Sequence, residues 1–399
     1  MRIVFLLHNI FEVKNGVSNK YIQFIKYLQI RKISNLLITC NSSTNILPIY
    51  NYVIEEGIHI PFYPSIKIPT ITYNKLKSII KENDIIIFNG ELFIYYDILL
   101  KIKRNIKSVV LLPNWHTNYD FYVPLYGYAT SIFSKLKNKL YNHLRNNVFD
   151  GLLCTGELTK NDFLPYNNNI INLNEICLSH FNNFTIDAYT TKEYHFIYTG
   201  RISIEKNIDL LIEIVEFLLE ANYQIILHII GDGPYLKNVK NNIKKNKIIE
   251  HVFYYGEVDY HNIQEIYSEL PNRIFIQPSK SETFGKSSME ACCAGIPLFC
   301  IDCPIHNLLY DEKNAFLFNT KYDFKDQFNL FINLTDNQKK NMIKNAYMNS
   351  QKYDQKNIFE NVVTFLENTQ SNSLKSIKEN NVSIYLYHAL QNTLQFFQR

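Results

Sequence analysis

Hydrophobic and polar positions fall into repeating blocks along this chain. Residues 3–7 are an unbroken apolar run that reads as a strand, followed by a polar loop containing Gly16. Residues 17–29 then place Tyr21, Phe24, Ile25 and Leu28 at three- and four-residue spacing, the mark of an amphipathic helix. A second short strand follows at 36–39, which completes the strand–loop–helix–strand unit from which parallel sheets are built. Strands are predicted again at 85–88, 108–112 and 151–154, alternating with helical stretches. Pro61, Pro64 and Pro69 argue for a loop over 61–73. Residues 167–189 are polar, Asn-rich and weakly periodic, and the connection between two domains is expected near their end. The rhythm then restarts, with strands at 195–199, 225–230, 252–255, 273–277 and 297–301. Helices are predicted between them at 207–219, 235–245, 262–269 and 285–294, the first with Ile208, Leu211, Ile212, Val215 and Leu218 on one face. Two doubly wound α/β halves in tandem are expected, with ligands at the carboxyl ends of their strands.

A length of 399 residues suits two such domains better than one core. The net charge of +4 does not suggest a nucleic-acid partner. Its distribution says more. Between Lys101 and Arg145 eight basic residues face one acid, Asp120, so the rest of the chain holds 33 basic and 36 acidic residues. Within this region, 131–148 has an amphipathic helical pattern: Ile132, Phe133, Leu136, Leu140, Tyr141, Leu144 and Val148 on one half, and Lys135, Lys139 and Arg145 on the other. Such a helix suits an anionic membrane surface, or simply a core with a solvated basic back. The seven cysteines show no repeating spacing, and Cys300 and Cys303, the one C-x-x-C pair, follow a buried strand, which fits reduced thiols. No apolar run is long enough to cross a bilayer and the start does not read as a signal peptide, so the expected location is cytoplasmic, or peripheral on the inner face of a membrane. Heavy use of Asn, Ile, Lys and Tyr runs through the whole chain and reads as a compositional bias.

The most informative stretch is Gln277-Pro278-Ser279-Lys280-Ser281-Glu282-Thr283-Phe284-Gly285-Lys286-Ser287-Ser288-Met289-Glu290-Ala291. A buried strand ends, a loop follows, and a helix starts near Gly285. Backbone N–H groups at a helix start form a site for an anionic diphosphate, and glycine lets a ligand approach the backbone. Glu282 precedes the helix and Glu290 lies more than a turn inside it. One carboxylate then reaches the sugar side of a bound diphosphate and the other its nucleoside side. A capped surface helix with two solvated acids is the plain alternative.

This stretch, with Gly295 and Pro297 after it, resembles the signature of glycosyltransferase family 4, the retaining "glycosyl transferases group 1" enzymes of GT-B fold. Thr199-Gly200-Arg201 with Glu205-Lys206-Asn207 is similar to that family's strand-end G-R-x-x-x-x-K motif, and Gly231-Asp232-Gly233-Pro234 to its G-x-G-P turn. The resemblance implies that Glu282 and the amides near Phe284, Gly285, Lys286 and Ser287 hold the donor sugar and diphosphate, and that Glu290 bonds the ribose. Arg201 and Lys206 follow a strand end, where fixed cations would stabilise the charge that develops on a leaving diphosphate. Gly200, Gly231 and Gly233 would shape the turns near the nucleotide, and Asp232 is expected either there or as a cap of the next helix. With the cationic role filled by side chains and no D-x-D motif near these residues, no metal or other cofactor is expected.

The first half resembles the family less densely. Asn15-Gly16-Val17-Ser18 stands where many members carry paired glycines, with Asn15 in place of one. Trp115-His116-Thr117-Asn118 is similar to a segment of the lipid-glycosylating and sulfoquinovosyl-type branch. At a strand's carboxyl end, His116 would bond a sugar hydroxyl or handle a proton near neutral pH. The resemblance thus implies two Rossmann-like domains, 1–185 for the acceptor and 186–378 for the nucleotide sugar, facing across a cleft. A helix at 379–399 would return to the first domain. The expected function is retaining transfer of a hexose-type sugar from a UDP- or GDP-sugar to a hydroxyl of a lipid or glycan. A sugar-nucleotide epimerase of similar fold and an inactive sugar-nucleotide-binding protein are the alternatives. A dehydrogenase is disfavoured because Gly231-Asp232-Gly233 lacks the third glycine of a dinucleotide fingerprint.

Overall fold

The computed structural model describes residues 1–12, 16–40, 51–60, 63–90, 95–116, 149–174, 189, 191–259 and 262–372. The chain divides into two compact units. Among the described residues, the first takes in the chain up to 116, 149–173 and 359–372, and the second takes in 174–358.

The first unit is a seven-stranded parallel sheet. Its elements run β1 (Arg2–Leu6), α1 (Gly16–Ile30), β2 (Ser34–Thr39), β3 (Tyr52–Ile54), β4 (Gly57–Ile60), β5 (Tyr63–Pro69), α2 (Tyr73–Ile79), β6 (Asp84–Asn89), α3 (Tyr96–Asn105), β7 (Val110–Trp115), β8 (Leu152–Cys154), α4 (Glu157–Phe163) and β9 (Ile170–Asn172). The sheet order is β3-β2-β1-β6-β7-β8-β9. Every residue of β6 and β7 is buried, which explains the continuous apolar runs: a parallel strand covered on both faces has no polar side to show. Two expectations are corrected. Residues 61–73 are not a loop throughout, because β5 pairs antiparallel with β4 and Thr72 caps α2. Residues 167–189 are not only a connection, because Ile170–Asn172 adds the edge strand β9. A three-residue edge strand is too short to show a periodicity of its own.

Inside this unit Lys103 and Asp150 are both buried and paired at 2.8 Å. The Lys103 ammonium also donates to the Val109 carbonyl, and Asp150 accepts the N–H of Leu111 at 2.9 Å. The pair thereby ties the start of β8 to β7.

The second unit is a six-stranded parallel sheet. It runs β10 (Glu193–Thr199), α5 (Ile208–Glu220), β11 (Gln224–Ile230), α6 (Leu236–Lys245), β12 (Val252–Gly256), α7 (Ile263–Glu269), β13 (Arg273–Gln277), α8 (Lys286–Cys293), β14 (Leu298–Ile301), α9 (Pro304–Leu309), β15 (Phe316–Phe318), α10 (Lys321–Asn333) and α11 (Asp336–Ser350). The order is β12-β11-β10-β13-β14-β15. Phe324 of α10 packs on Phe196 and Phe299 of the sheet, at ring-centroid distances of 5.6 and 5.2 Å. Among the described residues no helix is long and apolar enough to cross a membrane.

The last described helix, α12 (Gln355–Asn372), counts with the first unit from Phe359 onward. Phe359 packs on Phe24 of α1 at 4.9 Å, and Glu360 accepts bonds from Tyr27 and Arg31. The helices expected at 131–148 and 379–399 lie outside the described residues.

Candidate active site

In an open parallel sheet, ligands collect where the strand order reverses, because the loops on either side diverge there. In the second unit that point lies between β10 and β13, paired side by side from His195 and Arg273. The loop after β10 carries Gly200, Arg201 and Lys206, and the loop after β13 carries Glu282 and Gly285. Two motifs that stand more than seventy residues apart in sequence thus leave neighbouring strand ends.

The two loops are laced together. Lys206 closes a 3-10 turn, Ile204–Lys206, and its ammonium donates to Glu282 Oε1 at 2.5 Å. Gln277, the last residue of β13, donates its amide Nε2 to the same oxygen at 2.8 Å. Asn207 Nδ2 reaches the Pro278 carbonyl at 3.2 Å and the Lys280 N–H reaches the Glu205 carbonyl at 3.3 Å. The side chains of Lys206 and Glu282 keep 20% and 10% exposure, so the pair is sheltered yet open to a ligand. Arg201 is exposed, and its carbonyl accepts from the Tyr198 hydroxyl at 2.8 Å.

Gly285 is the N-cap of α8, with φ of +73°, a conformation that costs a residue with a Cβ. It brings no side chain to cap the helix. An anion arriving there meets first-turn amides, Lys286 and Ser287 among them, and the positive end of the helix dipole. Behind this start α8 is anchored by burial of Ser288, Met289, Glu290, Ala291, Cys292 and Cys293. Phe284, itself buried, rests on Tyr353 at 4.9 Å.

The G-x-G-P turn has a packing cause. A Cβ on Gly231 would stand 2.0 Å from the Gly200 carbonyl oxygen, and one on Gly233 2.2 Å from that of Ile202. The turns after β10 and β11 are pressed together backbone to backbone, with Ile202 N–H on the Asp232 carbonyl at 2.9 Å and Tyr235 N–H on that of Ile202 at 3.1 Å. Asp232 does not cap the next helix; its carboxylate accepts the Gly233 N–H at 2.6 Å, and the cap position of α6 is Tyr235.

Sequence reasoning missed three members of this neighbourhood. Gln277, Ser279 and His306 are buried polar residues around the Glu282 loop. The signal for Gln277 was a polar residue ending an otherwise apolar strand. His306 sits in α9, after the next strand, and nothing in its local pattern marks it.

In the first unit, His116 follows β7 and is buried. Its Nε2 lies 3.4 Å from the Tyr21 hydroxyl and its Nδ1 3.3 Å from Thr155 Oγ1. Burial, with smaller contributions from Lys20 and His8, pushes its pKa well below the usual histidine value. The ring is therefore neutral near neutral pH and acts there as a hydrogen-bonding group, which narrows the proton-handling role expected from sequence. Around it, Lys20 donates to Thr155 Oγ1 at 2.6 Å, Asn114 Nδ2 to Tyr21 at 2.5 Å, and His8 Nε2 meets Ser18 Oγ at 3.1 Å. Of these partners the sequence had marked Tyr21 only as a position on the helix face and Ser18 only within the stretch after the first strand. Gly16 opens α1, and a Cβ there would meet nothing within 4 Å. Packing alone does not require a glycine at that position.

Comparison with known proteins bears on the fold and on the second half of the chain. Residues 182–349 match the family described as Glycosyl transferases group 1. The α-monoglucosyldiacylglycerol synthase of Streptococcus pneumoniae is 24% identical over 237 residues, 56% of this chain and 53% of that protein. The chain thus spans about half the length, or less, of the curated relatives it matches. Among solved structures, Anabaena Alr3699/HepE in complex with UDP-glucose is 16% identical with a TM-score of 0.67, covering 92% of this chain and 100% of that one. Sucrose-phosphate synthase from Thermosynechococcus elongatus is 13% identical with a TM-score of 0.69, covering 93% and 100%. The chain therefore has the α/β GT-B glycosyltransferase fold, and its residues 182–349 match the glycosyl transferases group 1 family.

Proposed function

We propose that this protein is a retaining glycosyltransferase that moves a hexose-type sugar from a UDP- or GDP-sugar to a hydroxyl of a lipid or glycan, without a metal ion. The observation that carries the reading is the Lys206–Glu282 pair beside the Gly285 helix start, at the switch point of the second sheet. Breaking a sugar–diphosphate bond builds negative charge on the leaving phosphate. In this reading Lys206, with Arg201, meets that charge, the amides of Gly285, Lys286 and Ser287 hold the diphosphate, and Glu282 takes sugar hydroxyls. Glu290 bonds the ribose, and Gly200, Gly231 and Gly233 let the turns after β10 and β11 approach the nucleotide. His116, neutral and held between Tyr21 and Thr155, bonds a hydroxyl of sugar or acceptor, and Gly16 leaves room for the ligand. A lipid acceptor is supported by the α-monoglucosyldiacylglycerol synthase likeness. Contact with an anionic membrane through 131–148, at the inner face of a membrane, would bring the enzyme to such an acceptor.

The test is to incubate purified protein and chelator with UDP- and GDP-sugars, with diacylglycerol vesicles or an oligosaccharide as acceptor. Product is then read by mass and by the NMR coupling of its anomeric proton. An acceptor-dependent product that keeps the donor's anomeric configuration supports the proposal. An inverted product, or strict dependence on divalent metal, refutes those parts of it. Conversion of the donor to an epimer without acceptor would identify the epimerase instead.

A further inference from the structure

Three polar atoms around the Glu282 loop are buried without a hydrogen-bond partner among the described residues: Gln277 Oε1, Ser279 Oγ and His306 Nε2. Buried polar groups in folded proteins are nearly always satisfied, so three in one neighbourhood ask for an explanation. Their chemistry is well defined. Gln277 Nε2 donates to Glu282 Oε1, and a carboxylate only accepts, so the amide orientation is settled and Oε1 faces away as a bare acceptor. His306 is fully buried, and its Nδ1 lies 2.7 Å from the Ile301 carbonyl oxygen, which also only accepts. Nδ1 therefore carries the ring proton. Burial holds the imidazole neutral, against smaller opposing effects of the bond to the Ile301 carbonyl and of Glu282, so Nε2 presents a lone pair. That atom lies 3.9 Å from where a Cβ on Gly285 would be, which aims it at the helix start. Gln277 and Cys300 pair across β13 and β14, and Ile301, the next residue, holds the His306 ring, so both acceptors are built on neighbouring strand ends.

We propose that Gln277, Ser279 and His306 form, with Glu282, a subsite rich in hydrogen-bond acceptors, with one hydroxyl among them, that takes hydroxyls of the donor's sugar ring and sets which sugar is used. The subsite rests on the donor-site reading above and deepens it. The bare atoms of Gln277 and His306 only accept and so cannot bond phosphate oxygens, which carry no protons at neutral pH; a sugar hydroxyl can donate to both, and can donate to or accept from the Ser279 hydroxyl. In this structure the Lys206 ammonium occupies Glu282 Oε1. Drawn to a diphosphate at the helix start, it frees the carboxylate for the sugar. Such a subsite discriminates strongly, because a sugar lacking the matching hydroxyl leaves a buried acceptor unpaired.

The experiment is calorimetric titration of the full chain with UDP and GDP, and with UDP-glucose, UDP-galactose, UDP-N-acetylglucosamine and GDP-mannose. His306→Asn keeps an N–H near the Nδ1 position for the Ile301 carbonyl and removes only the Nε2 acceptor. His306→Gln places an amide near the Nε2 position. Gln277→Met keeps volume and removes the amide, and it serves if the His306 variants do not fold. We expect wild type to bind one sugar nucleotide more tightly than its bare diphosphate. His306→Asn should lower that affinity about tenfold, the size of one good hydrogen bond, with the bare diphosphate unchanged and partial recovery in His306→Gln. Equal losses for diphosphate and sugar nucleotide, or no loss in His306→Asn and Gln277→Met, would overturn the subsite. A wild-type protein that binds none of these ligands would instead overturn the donor-site reading itself.

Discussion

Lys206 has two tasks in this structure, and they can be separated. Its ammonium neutralises Glu282, and in the proposed reaction it meets the leaving diphosphate. Replacing Lys206 with Met leaves a carboxylate of 10% exposure with the Gln277 amide as its remaining side-chain donor among the described residues. Removing one member of a buried pair costs about 3–5 kcal/mol. With Lys206 at 20% exposure, solvent screens part of this, and about 2 kcal/mol is the reasonable figure. For a unit of this size that lowers Tm by about 4–8 °C. Glu282→Gln should cost less, because the ammonium can still donate to the Gln carbonyl and keeps some contact with water. The double variant Lys206→Met/Glu282→Gln holds no unpaired charge. It should recover about 1–2 kcal/mol relative to the sum of the singles, the coupling expected of residues in contact. Activity should not recover. Loss of a fixed cation or donor at the site of developing charge costs about 10²–10³ in rate, so all three variants should turn over donor at least a hundredfold more slowly. Differential scanning fluorimetry and a nucleoside-diphosphate release assay on the same preparations read both effects. Additive stabilities would show that the pair carries no coupling. A double variant with wild-type turnover would remove Lys206 and Glu282 from the reaction.

Three further outcomes follow from the geometry. Gly231→Ala drives a Cβ to 2.0 Å from the Gly200 oxygen at a φ of +136°, so it should cost at least about 2 kcal/mol in urea unfolding and weaken nucleotide binding, whereas Gly16→Ala, with open space around it, should leave stability within about 0.5 kcal/mol. Lys103→Met strands the buried Asp150 carboxylate and should lower stability by about 3–5 kcal/mol; a shift under 1 kcal/mol would mean that the pair does not hold β8 to β7. His8 is held neutral by burial, its pKa lowered to about 4, so the unfolded chain takes up that proton first; the stabilising contribution is complete above pH 6.5 and is lost as pH falls toward 4, by at most about 1.4 kcal/mol per pH unit. Stability measured from pH 7 to 4 should therefore decline less steeply in His8→Asn, and parallel profiles would contradict the assignment.

Ten strands of the two parallel sheets were legible because the chain repeats one pattern, an apolar run followed by an amphipathic helix; the short strands β3, β9 and β15 were not. Helix α5 and strand β13 fall where the spacing of Ile208, Leu211, Ile212 and Val215 and the run ending at Gln277 put them. The antiparallel β4–β5 pair and the edge strand β9 were not legible. Strands that are exposed or half-buried are made by their hydrogen-bonding partners, and Pro64 and Pro69 read locally as loop signals.

The chemistry divides along the same line. Glu282, Gly285, Glu290, Arg201 and Lys206 stand in short linear motifs, so residue type and spacing along one chain segment were enough to single them out. That Lys206 bonds Glu282, and that Gly231 and Gly233 are glycines because another turn's carbonyl presses on them, depends on strands that pair across seventy residues or the width of a turn. The lowered pKa of His116 comes from its burial, with Lys20 and His8 adding to it, and these surroundings belong to the folded unit rather than to the residues beside it in sequence. His306 shows the limit most clearly. Its Nδ1 proton, its bare Nε2 and its place under Gly285 come from the Ile301 carbonyl and the neighbouring helix start, none of which the residues beside it in sequence reveal. Local pattern sets which element a residue joins and what groups it can offer. Distance, protonation and unmet hydrogen bonds are properties of the surroundings that the packed fold brings to it.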